Sequence, residues 1–512
     1  MVTLIKNVIV IDGSGKPPIK GDVLMRDEKI LAVGSFPQYK ADNVIFGNEG
    51  YLCPGFIDPN ASSDRYLTMF QSPLHKDFLL QGVTSIMLGQ CGFSLAPSFY
   101  GTNLAHLDSW TRTNRINVNW RGVAEFLKVV ESYGMGVNIG TLVGHKVIRE
   151  DIIKNPNEFR NLTANELRVF RGVLSSAIEE GAFGMSDGLG YYPYQNTTYH
   201  EIRALLDVLH QYKGVYATHL RNEREKLFES VEETIRVSQE TSVTSIISHF
   251  RPLIGFETEY EKSLALIEEK AAKANVYFDI NPFSASAVSL DTFVPDYLKN
   301  DDPSLFIEKI KDKEIRKKIA SGLPKVDPKK VIILNAPGVE FLNGKTLYDF
   351  AKNRELSESQ AMLALMEATK LRGVVLYENL NQEEVLKALL ISRSLISTNS
   401  PNFDDIFKTF KPERAYKTFP TYLKIASQKN ISVEKSVAKI TGLPATIFNL
   451  DGRGFISDGY YADLVLATKD FDITTVIVNG TVEVSDGKLV TAQKGASAGR
   501  QGSGRLLKKS KK

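Results

Sequence analysis

Short apolar runs recur through the middle of the chain, and each is followed by an amphipathic helical pattern. The clearest succession is VYATH (Val215 to His219), a helical stretch from Arg224 to Gln239, SIISH (Ser245 to His249), a helical stretch from Glu261 to Lys273, and VYFDI (Val276 to Ile280). Strand starts about 30 residues apart have the period of a βαβ unit. The runs are continuously β-branched or aromatic, which suits a parallel sheet covered on both faces. Five more runs fit: Gly55 to Asn60, Val83 to Gly89, Val137 to Gly144, Ala182 to Ser186 and Leu395 to Asn399. Eight such units over roughly 350 residues predict an α/β fold, a (β/α)8 barrel with insertions spanning 55–449. An open doubly wound sheet is the alternative, weakened by the lack of GxGxxG after an early strand.

Both ends of the chain read differently. VIVID, GDVLMRDEKILAVG, DLVLAT and TTVIVNGTVEVSDGKLV are short alternating strands, and Asn479-Gly480 is a strong hairpin turn. Neither end is long enough to fold comfortably alone, so residues 1–54 and 450–490 are expected to form one small composite β-sandwich. The βα rhythm loosens over 285–378, where Lys- and Asp-rich helices precede VIILN; this predicts an inserted α/β subdomain. Residues 491–512 are Gly/Ser-rich and basic, the composition of a mobile, solvated tail.

Composition narrows the function classes. With 43% hydrophobic and 24% charged residues over 512 positions, the chain can bury a large core. Disorder, a disulfide-stapled miniature and a fibrous protein are excluded. No apolar run reaches the length of a membrane-spanning helix, and the N-terminus lacks a signal-peptide core, so no membrane association and a cytoplasmic location are expected. The net charge of +3 comes from the tail: seven of the 63 basic residues lie in Gln493–Lys512, leaving 56 against 60 acidic in the rest. The body therefore carries no nucleic-acid footprint. Oligomeric state is not legible at this level. Two cysteines make no disulfide framework, and Cys53, in an apolar run, reads as a buried small hydrophobe.

Three residues stand out by position: Cys91 after the strand VTSIMLGQ, His219 ending VYATH, and His249 ending SIISH. In a parallel barrel, functional groups gather at the C-terminal ends of the strands. A thiolate and two imidazoles there would make a soft three-ligand zinc site with an open fourth position, able to polarise a carbonyl and acidify a water. Each residue alone could equally be a satisfied core side chain; two histidines ending successive strands in phase are less easily explained so.

The pieces IDGSGKPP, YLCPGFID, QGVTSIMLGQCGFSLAP, LVGHKVIR, GAFGMSDGLGYYP, YATHLRNE, ISHFR, KPERAYKTFP, ITGLPA, RGFISDGYYADLVL and VNGTVEVSDGK, in this order, resemble the amidohydrolase superfamily. The branch is the N-acyl-D-amino-acid deacylases, or D-aminoacylases. The resemblance implies a distorted barrel with an insertion, a β-sandwich from both chain ends, and zinc-dependent release of the acyl group from N-acyl-D-amino acids. It implies metal ligation by Cys91, His219 and His249, with one tight Zn2+. It also implies substrate contacts by Tyr191, by Arg251 (where the family often has Lys) and by Arg221, for which an ion pair with Glu223 or another neighbour is the competing reading. His145 matches a family motif at the pocket mouth, or is an oriented structural histidine; His75, His106, His200 and His210 read as ordinary surface residues.

Some positions depart from the family pattern. The His-x-His pair after PGFID is replaced by Asn60 and Ser62, behind Pro59, and Asn399 stands where the family has the strand-eight Asp that acts as base. Asn and Ser are poor zinc ligands, and Asn accepts no proton at neutral pH. Asp404 and Asp405 could reach in, though a solvated loop pair is the simpler reading. Three functions follow: slow or altered hydrolysis with one zinc; a pseudoenzyme that binds an acylated small molecule or plays a structural part; or a site re-formed from Asp187, Tyr191 and Arg251 for another substrate.

Overall fold

The computed structural model describes residues 1–99, 118–154, 159–191, 194–270, 273–298, 303–403, 410–490 and 502–509. His106, Asp404 and Asp405 lie outside the described residues.

Parallel strands run through the middle of the chain. In order they are Phe56–Asp58, Val83–Leu88, Asn138–Thr141 (continued by Val143–Gly144), Gly184–Gly188, Val215–His219, Thr244–Ile247, Val276–Ile280 and Ser394–Ile396. They are called the first to eighth parallel strands below. The first three pair with one another, and the continuation of the third pairs with the fourth, from which pairing runs on to the eighth. Just beyond the strand ends, the eighth and first also touch. Asn399 N donates to Asn60 O at 3.0 Å, and Ser62 N to Ser400 O at 3.1 Å. Thr398 Oγ1 donates to the buried Asp58 carboxylate at 2.5 Å.

The strands are buried nearly throughout because amphipathic helices cover their outer side. The helix Ala164–Glu179 opens with Thr163 and Glu166 capping each other's backbone, and Tyr199–Gln211 is capped by Thr198. Inside, Ile57, Met87, Leu142, Phe183, Val215, Ala217, Ile246 and Leu395 form a core of their own, with the helix Gly442–Phe448 packed against it through Ala445, Ile447 and Phe448.

The chain ends share a sheet of nine strands. Tyr51–Pro54 pairs antiparallel with Leu464–Ala467, joining residues four hundred positions apart. Asn479 and Gly480 both take positive φ, 47° and 78°, in the hairpin that follows. Between the seventh and eighth parallel strands, Ala285–Ser289, Val331–Asn335 and Val374–Glu378 form an antiparallel sheet over a separate hydrophobic cluster.

Two expectations need correction. His75 is not a surface residue: it is fully buried, its Nδ1 donates to Pro73 O at 2.8 Å, and burial pushes its pKa down to about 4. The tail also differs from its composition. Residues 502–509 are held along the N-terminal half of the third parallel strand, where Ile139 N donates to Arg505 O at 2.9 Å and Leu507 N to Ile139 O at 2.8 Å. Leu507 is buried in the strand-lined core described above. The glycines there are not linker residues. A Cβ on Gly502 or Gly504 would fall 2.3 Å from Met135 O or 2.0 Å from Val137 O, so only glycine lets the backbones approach. Composition misled because two leucines inside a basic run supply the burial.

Replacing Leu507 with Ala should therefore destabilise the protein by about 2–5 kcal/mol, the range for a buried leucine. Urea unfolding monitored by tryptophan fluorescence tests this; a transition unmoved by either Leu507→Ala or removal of 502–512 would show that the segment contributes nothing.

Candidate metal centre

Parallel pairing sets the strand ends side by side. His219 is the last residue of the fifth strand, opposite Gly188 of the fourth. His249 lies two residues past the sixth strand, whose neighbour in register is again the fifth. The backbone there is fixed from both sides: Ser248 N donates to Thr218 O at 2.8 Å and Phe250 N to Asp279 O at 2.9 Å. Cys91 sits in the turn after the second strand. Ser186 of the fourth strand clamps that turn, donating to Gly89 O at 2.6 Å and accepting from Gly92 N at 3.0 Å. Cys91 and His249 both take left-handed backbone, φ 55° and 40°. Such a conformation costs about 1–2 kcal/mol at a non-glycine residue, and this cost aims both side chains at one point.

The three side chains converge there. Cys91 Sγ is 3.3 Å from His249 Nε2, which is 2.9 Å from His219 Nδ1. The three donor atoms lie within 4.8 Å of one another and all three residues are buried. One thiol and two imidazoles at this spacing match the donor set of zinc.

The electrostatics of the cluster set an acidified thiol against a proton-holding imidazole. Burial works against a Cys91 thiolate, but the His249 charge and hydrogen bonds from both rings outweigh it and hold the thiol well below its usual range. Burial likewise disfavours charge on His249, yet the thiolate and Glu223 push it up to about 9. Burial lowers His219. Glu223 was expected, if anywhere, beside Arg221. It lies instead behind both imidazoles, 3.7 Å from His219 Nε2 and 3.4 Å from His249 Nδ1, and is ion-paired with Arg251.

The other expected residues fall as follows. Tyr191 leans over the cluster, its ring centroid 4.4 Å from that of His219, and it is 39% exposed. Arg251 gives one arm to Glu223 and keeps a buried Nε without a hydrogen-bond partner. Arg221 is ion-paired with a neighbour other than Glu223: Glu233 accepts from it at 2.8 Å and 3.0 Å. Asn60 is buried; its Nδ2 donates to Asp279 at 3.1 Å and its Oδ1 has no partner. Asn399 takes left-handed backbone, φ 44°. Asp187 is buried and accepts from Tyr216 Oη and Thr218 Oγ1 of the neighbouring strand, so its carboxylate is committed to the sheet. His145 is a buried structural residue, donating to Glu201 at 2.8 Å.

Two groups were missed. Asp279 is next to last in the seventh strand and is buried beside Asn60 and Ser397; burial raises its pKa, as it raises that of nearby Asp58 to about 7. Arg65 hydrogen-bonds Tyr191 and stands near the Cys91 sulfur. Neither has a sequence signal stronger than its closeness to a strand end or to Pro59.

In metal-free protein, alkylation of Cys91 by iodoacetamide should change little between pH 8 and pH 6, because its thiolate persists. An unperturbed thiol slows about a hundredfold over that interval. Peptide mapping should show Cys53, whose pKa burial raises, unreacted, and zinc should protect Cys91. Ordinary pH dependence at Cys91 would contradict the ion pair.

No family model matches the chain. The D-aminoacylase of Alcaligenes xylosoxydans xylosoxydans is 29% identical over 481 residues, covering 93% of this chain and 88% of that protein. Among solved structures, the N-acyl-D-glutamate deacylase of Bordetella bronchiseptica, complexed with zinc and a phosphonate mimic of the tetrahedral intermediate, superposes with a TM-score of 0.80 at 22% identity, covering 99% of both chains. A D-aminoacylase with a binuclear metal centre, described as activated by one metal and attenuated by the second, gives 0.78 at 26% identity, again over 99% of both. Over most of its length in sequence, and over nearly all of it in fold, the chain is similar to D-aminoacylases and N-acyl-D-amino-acid deacylases.

Proposed function

We propose that this chain is a zinc-dependent hydrolase of the amide bond in N-acyl-D-amino acids, working with one tightly held ion and slowly. The observation that carries this reading is the buried convergence of Cys91 Sγ, His219 Nδ1 and His249 Nε2. The D-aminoacylase described as activated by one metal supports the sufficiency of a single ion. We read the parallel strands as one distorted barrel over 55–449, with 285–378 inserted and the sandwich built from 1–54 and 450–490.

Zinc held by these three residues would supply Lewis acidity toward the amide carbonyl and lower the pKa of a water. The protein's own part is placement and proton transfer. Tyr191, exposed above His219, closes over the substrate. Arg251 has N–H groups left over for the substrate carboxylate, and its planar fork suits a carboxylate better than an ammonium would. Asn60 and Ser62 add no good ligand on the first strand. Asn399 takes no proton on the eighth, and general acid–base help is worth about 10²–10⁴ in rate. A pseudoenzyme that binds the acylated amino acid without cleaving it is the second reading, favoured by the same three residues.

Purified protein should carry or take up about one zinc per chain, the stoichiometry of a single three-ligand site with an open fourth position. N-acetyl-D-amino acids should be hydrolysed slowly and only with metal. The triple change Asn60→His, Ser62→His and Asn399→Asp should raise kcat at least about tenfold. Absence of zinc uptake refutes the metal reading; wild-type turnover of several per second refutes the slowness. No turnover in either protein, with N-acetyl-D-amino acid binding retained, selects the pseudoenzyme.

A further inference from the structure

The two imidazoles present different nitrogens to the cluster. His219 points Nδ1 inward and His249 points Nε2 inward, 2.9 Å apart. Their remaining nitrogens, His219 Nε2 and His249 Nδ1, come from different strands and yet face a single residue. Glu223 Oε2 is 3.7 Å from the first and Glu223 Oε1 is 3.4 Å from the second. Glu223 follows His219 by four residues in THLRNE. A turn after the fifth strand brings it back beneath its own neighbour and across to the sixth.

A histidine that ligates through one nitrogen must carry its proton on the other. The two rings therefore need opposite tautomers, Nε2–H in His219 and Nδ1–H in His249. Both N–H groups then face the two oxygens of one carboxylate at ion-pair range, and His249 Nδ1 has no other hydrogen-bond partner. Arg251 lies on the same carboxylate and supplies the compensating positive charge. The acid is only 18% exposed, so these contacts are little screened by water.

We propose that Glu223 is a positioning residue that sets both histidine tautomers at once, one oxygen to each ring, and that Arg251 serves this acid as well as the substrate. The inference rests on the reading of Cys91, His219 and His249 as ligands. It adds that the geometry of the site depends on one carboxylate outside the ligand set. Outer partners of metal-bound histidines commonly change metal affinity by about 10–100-fold when removed.

Two measurements test it. Zinc affinity by chelator competition should fall at least about tenfold in Glu223→Gln. A side-chain amide has one acceptor and one donor, and so cannot accept from both rings. Because Arg251 loses its counter-charge, the metal-free variant should unfold more readily than wild type; the readout specific to ring orientation is the visible spectrum of the Co2+ form, which should be altered. Loss of zinc in Cys91→Ser together with unchanged affinity in Glu223→Gln would overturn the role of Glu223 and leave the ligand reading intact. Unchanged affinity in both would overturn the ligand reading itself. Should Glu223→Gln fail to fold, the wild-type protein decides. Long-range 1H–15N correlation spectra of the zinc-loaded form should place the proton on Nε2 of His219 and Nδ1 of His249, and any other pairing overturns the proposal.

Discussion

Parallel pairing in register is the constraint on which the pocket depends. The fifth strand hydrogen-bonds to the fourth with His219 against Gly188, and to the sixth with Thr218 against Ile247. That register fixes where each strand stops relative to its neighbour. A slip by one residue would turn a histidine from the pocket into the helical layer. The donor atoms therefore need no long-range search to meet. Once the strands are paired, only the turns after them must be specified, and the left-handed backbone at Cys91 and His249 is how two of those turns are made. Backbone strain of this kind gathers where a side chain must be aimed rather than merely buried.

Around that point charge is arranged in layers. A thiol and two imidazoles are nearest, Glu223 is behind the rings, and Arg251 is behind Glu223. Each layer has the sign opposite to the one it faces. The order matters because every group in it is substantially withdrawn from water, where an uncompensated charge is expensive. The same order favours a thiolate at Cys91 beside a protonated His249.

Legibility from sequence varied with how local the signal was. His219 and His249 were readable because each ends a run of β-branched residues, a pattern contained within five positions. Glu223 was not. It sits in RNERE among other charges, and its partner on the sixth strand is known only after the strands are paired. The burial of His75 is not legible because nothing local marks the packing of its ring against Phe78 beneath the surface. The C-terminal segment failed for a different reason. Its Gly, Ser and Lys content suggested solvent, while the decisive residues were two leucines and the glycines whose missing side chains let them in.

That segment has a bearing on biosynthesis. Leu507 packs beside Ile57 and Met87, and the strand Tyr51–Pro54 has its partner at Leu464–Ala467. A chain leaving the ribosome N-terminus first thus carries an open sheet edge until Leu464–Ala467 has emerged and an unfinished interior until Leu507 has emerged. Exposed edges and apolar surface of this sort are what chaperones recognise.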